Sequence, residues 1–485
     1  MLGNILFKLE QAADRLDAAL TKHRIIFSAL IAAVLCSALA LYNVSSGPLR
    51  NLNDIGGWSN RALFIIMSAA VHGALLMGCA MLSDVRFSRT ALRQVILTTG
   101  YFILLLAINQ KSYLYVNVLL PLVREMDGSF AAGMQADVYL SAPAKLLVYL
   151  ITRGPVYDMY MLKLFAIGCY LVTALLLTRA ADRNGLGIRA EVLLALCVIL
   201  PQGFMNMACS AMAVEAAALL LLGMALALGR DGEKKRVIAA AVCYGAACAL
   251  CGACLLALPV MIDKKNWKCQ ITATAGVMLA LCVPAVLSGV PAAKAVGSLF
   301  GAVLGMPVYA GGAPGIVNLF PRALLEEIPQ YAAILRHLPS LDPVTNSQPH
   351  YTAEHHAYLV GGFAWAGLAA YMGLCALLAH RGEGKTPLHR AFALMLGALL
   401  VCPGVTSGAW LAVDLLCLYV LLAAPGLRLP ACVTLFATAA GSCYPMTEEV
   451  LLPMIYALAL CLTALCMLLD VIPMNLMENE ETSHE

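Results

Sequence analysis

Acidic and basic side chains gather in one polar, aromatic-rich stretch, residues 111–153, that directly precedes a long apolar segment. Asp127 and Asp137 are carboxylates suited to take a proton from an attacking hydroxyl, and Lys145 and Arg153 are cations suited to a phosphate. Polar loops at a membrane surface often carry function. The stretch therefore predicts acid–base and phosphate-binding chemistry. The alternative for each residue is a solvated loop charge or a helix-end anchor with no chemical role.

A second group of candidate residues lies farther along the chain. Glu215 falls near the start of an apolar segment, where an ionisable group is costly and tends to face a cavity, although a polar packing contact is an equal alternative. Asn206 precedes it by nine positions. Arg322 and Arg336, in a polar segment near residues 291–356, are further candidates for binding phosphate.

Two residue sets have the character of metal ligands, but neither predicts a metal. Adjacent histidines diverge on a helix, and the cysteine spacing of an iron–sulfur motif is here flanked by lipid-like residues with no fourth ligand. We therefore predict no metal site, and the sequence identifies no cofactor. The two sets are His350, Glu354, His355 and His356, and Cys248, Cys251 and Cys254.

The composition predicts a membrane protein, in which transmembrane helices would position the candidate residues. The 485 residues are 61% hydrophobic and 12% charged, with a mean hydropathy of +0.83, which is more apolar than a soluble domain of this size. The net charge of +3 gives no basic field for nucleic acid. Most of the 18 cysteines lie in apolar spans, which favours reduced packing residues.

The hydropathy pattern predicts an all-α, polytopic transmembrane protein with about twelve full crossings. Clusters of Lys and Arg alternate with the spans, which predicts a multi-pass plasma-membrane protein with both termini in the cytoplasm and the loop after residue 109 outside. Asp414 lies within one of the apolar spans, which predicts a buried and hydrogen-bonded carboxyl group. The spans are residues 25–42, 62–82, 95–109, 159–178, 190–204, 211–228, 271–290, 357–378, 391–402, 410–424, 430–444 and 450–469.

Residues 237–262 predict an additional re-entrant hairpin. Basic clusters flank this stretch on both sides, and about 26 residues are too few for two full crossings. We place its turn near residues 250–252, shielded by surrounding protein.

The chain accordingly divides into six segments. They are a cytoplasmic amphipathic helix (1–24), N-terminal transmembrane helices (25–110), a loop and transmembrane core (111–290), an external segment (291–356), C-terminal transmembrane helices (357–472) and an acidic cytoplasmic tail (473–485).

From Lys111 onward, the stretches Tyr139-Leu140-Ser141-Ala142-Pro143, NMACSAMAVE and APGIVNLF follow one another in an order that resembles the GT-C superfamily of integral-membrane glycosyltransferases, in particular bacterial relatives of the phosphatidylinositol-glycan mannosyltransferases. The similarity covers about three quarters of the chain. Tyr139-Leu140-Ser141-Ala142-Pro143 resembles the family's "Y-x-P-P", and NMACSAMAVE resembles its "N-S-A-x-W-G-Q-x-D", with Asn206 and Glu215 matching the first and last positions. APGIVNLF is similar to the family's "NApN-x-W" turn.

Two family motifs are altered in this chain. Ser112-Tyr113-Leu114-Tyr115 stands where the family usually has the Asp that accepts the proton of the acceptor, and Pro403 to Trp410 replace a late "P-x-M-H-E-R-Y". The resemblance thus implies a GT-C-like fold with a degenerate active site, in which binding survives better than turnover.

The resemblance implies a hexosyltransferase-like function at the outer membrane face, in cell-envelope glycan assembly. Its partners would be the lipid bilayer, a polyprenyl-phosphate-linked sugar, and a glycan or lipid acceptor. Catalysis would fall to Asp137, Glu215 and Asp127, and binding of the donor phosphate to Arg322, Arg336, Lys145 and Asn206. The alternatives are a non-catalytic lipid-glycan-binding partner subunit, or a membrane transporter or flippase.

Overall fold

The computed structural model describes residues 2–21, 52–82, 89–108, 115–136, 140–154, 157–229, 234–262, 266–300, 387–401 and 407–447, with a few isolated residues between 369 and 463. These residues form helices and turns, and no strand occurs among them, which confirms the all-α class. They group into two compact units, one within residues 1–251 and 265–299 and the other within residues 252–264 and 300–485.

Twelve numbered helices build the first unit, together with π-helical segments at Tyr115–Leu119 and Phe204–Cys209. The helices are α1 (Leu2–Thr21), α2 (Leu52–Leu82), α3 (Thr90–Leu105), α4 (Leu120–Gly128), α5 (Phe130–Gln135), α6 (Ala142–Thr152), α7 (Asp158–Arg183), α8 (Arg189–Ile199), α9 (Ala213–Leu228), α10 (Lys234–Leu250), α11 (Trp267–Leu287) and α12 (Ala292–Gly297).

Three of the described helices are long and apolar enough to cross a membrane: Ala62–Leu82 within α2, α7 and α11. The bent pair Arg189–Ile199 and Pro201–Cys209 makes a fourth if it counts as one span. These helices overlap spans predicted at 62–82, 159–178, 190–204 and 271–290. The larger number of about twelve crossings stays a prediction.

Hydrogen bonds between side chains fix α2 and α3 as an antiparallel pair. Ser68 Oγ lies 2.8 Å from Tyr101 Oη, and one turn farther along α2 the His72 Nε2 lies 3.0 Å from Thr98 Oγ1. All four side chains are buried, so each polar group needs a partner on the neighbouring helix. The polar residues inside these apolar helices thereby set their register.

A buried ionic cluster ties together the helix ends near α1. The guanidinium of Arg93 pairs with Glu191 at 2.8 Å and also contacts the carboxylate of Asp182, and Arg93 and Glu191 are almost fully buried. Arg89 reaches Glu191 at 3.3 Å and Asp14 of α1 at 2.6 Å. The cluster thus joins α1, the start of α3, the end of α7 and the start of α8. We call this side of the first unit the α1 end.

The carboxylate of Asp17 in α1 completes the docking of that helix. It accepts hydrogen bonds from the backbone N–H groups of Ala91 (2.9 Å) and Leu92 (3.2 Å). These are N–H groups of the first turn of α3, which have no partner within their own helix. A negative charge there is also favoured by the helix dipole.

The predicted grouping of residues 1–24, 83–94 and 179–189 on one side agrees with these contacts, whereas the side of the membrane stays a prediction.

Helices α10 and α11 cross closely, near the middle of α10. Thr274 Oγ1 donates to Ala241 O at 3.3 Å, and a Cβ added at Gly245 would lie 2.7 Å from the carbonyl oxygen of Thr274. Glycine is therefore required at position 245, because any side chain would push the two backbones apart.

Both helices end near the start of α6. Ser141 Oγ donates to Ala249 O at 2.7 Å, close to the end of α10, and Gln135 Nε2 donates to Ser288 O at 2.9 Å, just after α11. Helices α10 and α11 therefore run in the same direction. We call the end near Ser141 the loop end.

This arrangement agrees with a chain reversal in the predicted hairpin. Helix α10 stops at Leu250, Cys251 is not helical, and a 3-10 helix begins at Gly252. The Ser141 hydroxyl also approaches Leu250 O at 3.2 Å, so protein groups satisfy the carbonyls that the break leaves without helical partners. The depth of this turn in a membrane stays a prediction.

The second unit contains three longer described helices, α13 (Pro387–Val401), α14 (Ser407–Ala423) and α15 (Arg428–Thr447). The short helical stretch of residues 252–261 packs against α13. Every described residue from Trp410 to Val420 is buried, so α14 lies at the centre of this unit rather than at its surface.

We expect the buried ionic cluster to dominate the stability of the α1 end. Replacing Glu191 with Ala leaves Arg93 and Arg89 without their shared buried partner and should cost about 3–5 kcal/mol in the free energy of unfolding. Asp14→Ala removes an exposed partner of Arg89 and should cost less than about 1 kcal/mol. Denaturant unfolding of the purified protein in detergent measures both; equal losses would contradict the assignment.

Candidate functional site

The most exposed ion pair at the loop end joins Asp127 and Arg153. Arg153 Nη1 lies 3.4 Å from Asp127 Oδ1, and the two side chains are 47% and 61% exposed. The same guanidinium donates to Met126 O at 3.0 Å and lies 4.7 Å above the ring of Tyr149. The Tyr149 ring and the Met126 carbonyl hold the Arg153 guanidinium in place. The ion pair with Asp127 is exposed to water and therefore contributes little to the stability of this arrangement.

Exposed apolar surface adjoins this cation. Leu150, next to Tyr149 in α6, is 61% exposed, and Val116 in the nearby π-helical segment is 41% exposed. Phe130 packs on Tyr149 with ring centroids 4.7 Å apart. A charged group beside exposed apolar side chains is the combination that a lipid with a phosphate head group requires.

Asp158 adds a second carboxylate to this cluster. It begins α7 and is close enough to Asp127 and Arg153 to interact electrostatically with both. Its position in the first turn of a helix is favourable for a negative charge. Sequence reasoning missed Asp158, although an Asp that follows Gly154-Pro155 and opens an apolar span is a recognisable helix start.

A row of aromatic side chains lies beneath the carboxylates. Tyr115 meets Tyr157 with centroids 6.4 Å apart, Tyr157 meets Tyr160 at 5.7 Å, and Tyr160 meets Phe64 of α2 at 5.4 Å. Burial, followed by the proximity of Tyr157, raises the pKa of the Tyr115 phenol, so its hydroxyl stays protonated and uncharged. Tyr115, Tyr160 and Phe64 are buried. We call Asp127, Arg153, Asp158 and these aromatic residues the loop-end cluster.

A break in the helix that starts at Arg189 forms the second notable feature. Pro201 has no N–H to donate to the carbonyl of Cys197, and the chain bends by 44° at this point. Tyr170 of α7 compensates, because its hydroxyl donates to Cys197 O at 2.5 Å. Gly203 leaves room for that hydroxyl, since a Cβ there would lie 2.4 Å from Tyr170 Oη.

Irregular backbone continues beyond the break. Residues 204–209 are π-helical, and Ala211 adopts a φ of 58°, which costs about 1 kcal/mol or more for a residue with a side chain. Such segments occur frequently at functional sites. This segment is therefore a candidate floor for a site at the loop end.

Asn206 carries an unsatisfied donor within this segment. Its side chain is 4% exposed, and its Nδ2 atom has no hydrogen-bond partner among the described residues. A buried amide without a partner costs about 1–3 kcal/mol, so an acceptor from a ligand would remove a penalty that the protein alone bears.

Lys163 connects the same region to α3. The ammonium group is completely buried and donates to Ala107 O at 3.1 Å and Ile108 O at 3.0 Å, just past the end of α3. It also lies near Cys209 at the end of the π-helical segment. A cation is favourable at a helix C-terminus, so Lys163 has a structural role that explains a charge in an apolar helix.

Two other predicted site residues, Lys145 and Glu215, lie in parts of the fold that the structure describes. Lys145 is almost fully buried and donates to Met134 O at 3.2 Å and to Ala136 O, which ties the end of α5 to α6. Glu215 is half-buried in the first turn of α9 and forms no ion pair with described residues. Roles for these two residues in phosphate binding and catalysis stay predictions.

Of the predicted site residues, Asp127 belongs to the loop-end cluster, whereas Asn206 belongs to the broken helix and Glu215 follows it. Asp137, Arg322, Arg336 and the histidines 350, 355 and 356 lie outside the described residues. Within the part of the chain that the structure describes, no group of three or more His, Cys, Asp or Glu side chains is placed to hold a metal ion.

Comparisons with protein-family models, with curated proteins and with solved structures gave no match.

We expect Gly203→Ala and Tyr170→Phe to destabilise the same contact. The Cβ of the first variant displaces the hydroxyl, and the second removes it, so each should cost about 1–3 kcal/mol. Their effects should be far from additive, because both act on the hydrogen bond to Cys197. Unfolding free energies of the two single variants and the double variant measure this coupling.

Gly276→Ala is the matched control for that experiment. No atom lies within 4 Å of a Cβ added at Gly276, which is also in a helix, so the variant should be neutral or stabilised by up to about 1 kcal/mol. Additive losses at Gly203 and Tyr170, or an equal loss at Gly276, would refute the proposed contact.

Proposed function

We propose that this chain is a multi-pass, GT-C-like membrane protein that binds a polyprenyl-phosphate-linked sugar at its loop end. The observation that supports this most is the position of Arg153, an accessible guanidinium beside exposed Leu150. Guanidinium groups bind phosphate oxygens through two parallel hydrogen bonds. The neighbouring apolar surface would accommodate the first isoprene units of the lipid.

Two carboxylates close to Arg153 bear on the binding of a phosphate there, because they attract the guanidinium and repel the negatively charged ligand. Asp127 now contacts Arg153, and Asp158 is within electrostatic range of both. A phosphate that reached Arg153 would displace Asp127 from the guanidinium. The freed carboxylate would then be available to accept the proton of an acceptor hydroxyl, which is the role that the sequence predicts for it.

The broken helix supplies a second polar contact in this proposal. The unpartnered amide of Asn206 would donate to an oxygen of the sugar or of the phosphate. Arg322 and Arg336 remain proposed phosphate ligands, and Asp137 a proposed base. The proposed setting is the outer face of the plasma membrane, with about twelve crossings, a re-entrant turn near Cys251 and both termini in the cytoplasm.

One observation favours a transporter or flippase as the second candidate. A helix interrupted in its apolar course, with irregular backbone beside an unpaired amide, is the kind of element that transporters use to line a substrate site. Binding of the same lipid would be common to both candidates, and sugar transfer would distinguish them.

Binding of a polyprenyl-phosphate hexose to the protein in lipid nanodiscs tests the proposal. Arg153→Ala should weaken binding by roughly tenfold to a hundredfold, the loss of a charge-assisted hydrogen bond, and Arg153→Lys should fall between this variant and the natural protein. Lys235→Ala is the matched control, because this exposed cation lies in α10 at the α1 end. Equal affinities for Arg153→Ala and Lys235→Ala would refute the site.

Asn206→Leu tests the proposed floor separately. The variant removes an unpartnered buried donor, so the unfolding free energy of the protein without ligand should be unchanged or higher. The affinity for the lipid should nevertheless fall by about tenfold. A stability loss without a change in affinity would assign Asn206 to packing.

A further inference from the structure

The second unit contains a buried acidic residue, Asp414, that has no part in the proposed loop-end site. Asp414 lies in the middle of α14 and is 1% exposed, and α14 packs against both α13 and α15. Asp414 Oδ1 lies 2.5 Å from Thr438 Oγ1 of α15, and Thr438 is also buried. The pair is therefore a short contact between two oxygens away from water.

The position of the proton in this contact follows from the other neighbours of Thr438. Its Oγ1 also lies 3.0 Å from Thr434 O, the carbonyl one turn earlier in α15, and 3.2 Å from Leu435 O. A threonine hydroxyl has one proton, and in helices it commonly donates that proton to the carbonyl four residues before it. If it does so here, the hydrogen between Oγ1 and Oδ1 must belong to Asp414.

The charges around Asp414 favour the same assignment. No described cation forms an ion pair with Asp414, and on α13 the Nε atom of Arg390 is buried with no hydrogen-bond partner among the described residues. An ionised carboxylate whose described side-chain partner is a single hydroxyl would be strongly unfavourable in such an environment. The titratable side chains described on α13, α14 and α15 are Arg390, Cys417, Tyr419, Arg428 and Cys432.

We propose that Asp414 is a proton-binding site inside the second unit. In the resting state its carboxylic acid O–H donates to Thr438 Oγ1, which donates to Thr434 O. On release, a movement of α14 against α15 admits water to the carboxyl, the O–H bond of Asp414 breaks and the proton passes to that water, while the Thr438 hydroxyl rotates from Thr434 O to the new carboxylate. The site thus has two hydrogen-bonded states that differ by one proton.

This site would give the protein a response to proton concentration that is independent of lipid-phosphate binding. The contact joins α14 to α15, and ionisation would place an uncompensated charge between them. Helices whose packing depends on the protonation of one carboxyl are suited to couple a proton to a movement of one helix against the other.

Infrared difference spectroscopy tests the protonation state directly. The spectrum of the natural protein minus that of Asp414→Asn, at neutral pH, should contain the carbonyl stretch of a protonated carboxylic acid. The Asn variant should also unfold at the same denaturant midpoint as the natural protein, because its amide can donate to Thr438 as the acid does. Carboxylate bands in that difference spectrum would overturn the proposal.

Two further variants complete the experiment. Asp14→Asn provides the carboxylate reference, since Asp14 is exposed and paired with Arg89. Thr438→Val should move the acid carbonyl band to higher frequency by removing its hydrogen bond, and it provides the test if Asp414→Asn does not fold. An unshifted band in Thr438→Val would show that Asp414 does not donate to Thr438.

Addition of sodium ions tests whether the site binds a proton or a small metal cation. Hydroxyl, carbonyl and carboxylate oxygens are also ligands for a small cation. Addition of Na⁺ at constant pH should leave the acid band unchanged if the occupant is a proton. Conversion of the acid band to carboxylate bands by Na⁺ would identify a cation site and overturn the assignment to a proton.

Discussion

The sharing of Glu191 between Arg89 and Arg93 is the interaction on which the arrangement of the first unit depends. It holds the start of α8 against the start of α3, and Asp182 adds the end of α7. Burying these charges is costly unless all of them are paired, so we expect the three helix ends and α1 to assemble in the arrangement that pairs them. These contacts place the starts of α3 and α8 and the end of α7 together at the α1 end.

The loop end is built on different principles. There, backbone groups at helix ends are satisfied by single side chains: Ser141 for the end of α10 and Lys163 for the end of α3. Tyr170, in the middle of α7, does the same for the carbonyl of Cys197, which receives no N–H from Pro201. Such a region keeps irregular backbone and accessible polar groups close together. It is therefore the end of the unit where a ligand can find partners without breaking the packing of the helices.

The sequence was sufficient to predict features that depend on hydropathy and charge. The helical class, the apolar helices near 62–82 and 271–290 and the helix break near Cys251 follow from apolar length and from basic flanks, which act locally. The interaction of Asp17 with the start of α3 was not predictable, because a cap supplied by a distant helix leaves no local pattern. The same holds for Asp158 beside Asp127, since their proximity depends on how α4 and α7 pack. The Nδ2 atom of Asn206, which has no partner among the described residues, could be recognised only from the hydrogen bonds of the folded chain.

The loop-end cluster is proposed to bind the phosphate of a lipid-linked sugar. An electron cryo-microscopy structure of the protein in nanodiscs with a saturating polyprenyl-phosphate hexose tests this most directly. We expect phosphate density within hydrogen-bonding distance of Arg153, with Asp127 withdrawn from the guanidinium and the isoprenoid along the surface near Leu150. Lipid density elsewhere, with the contact between Asp127 and Arg153 intact, would contradict it.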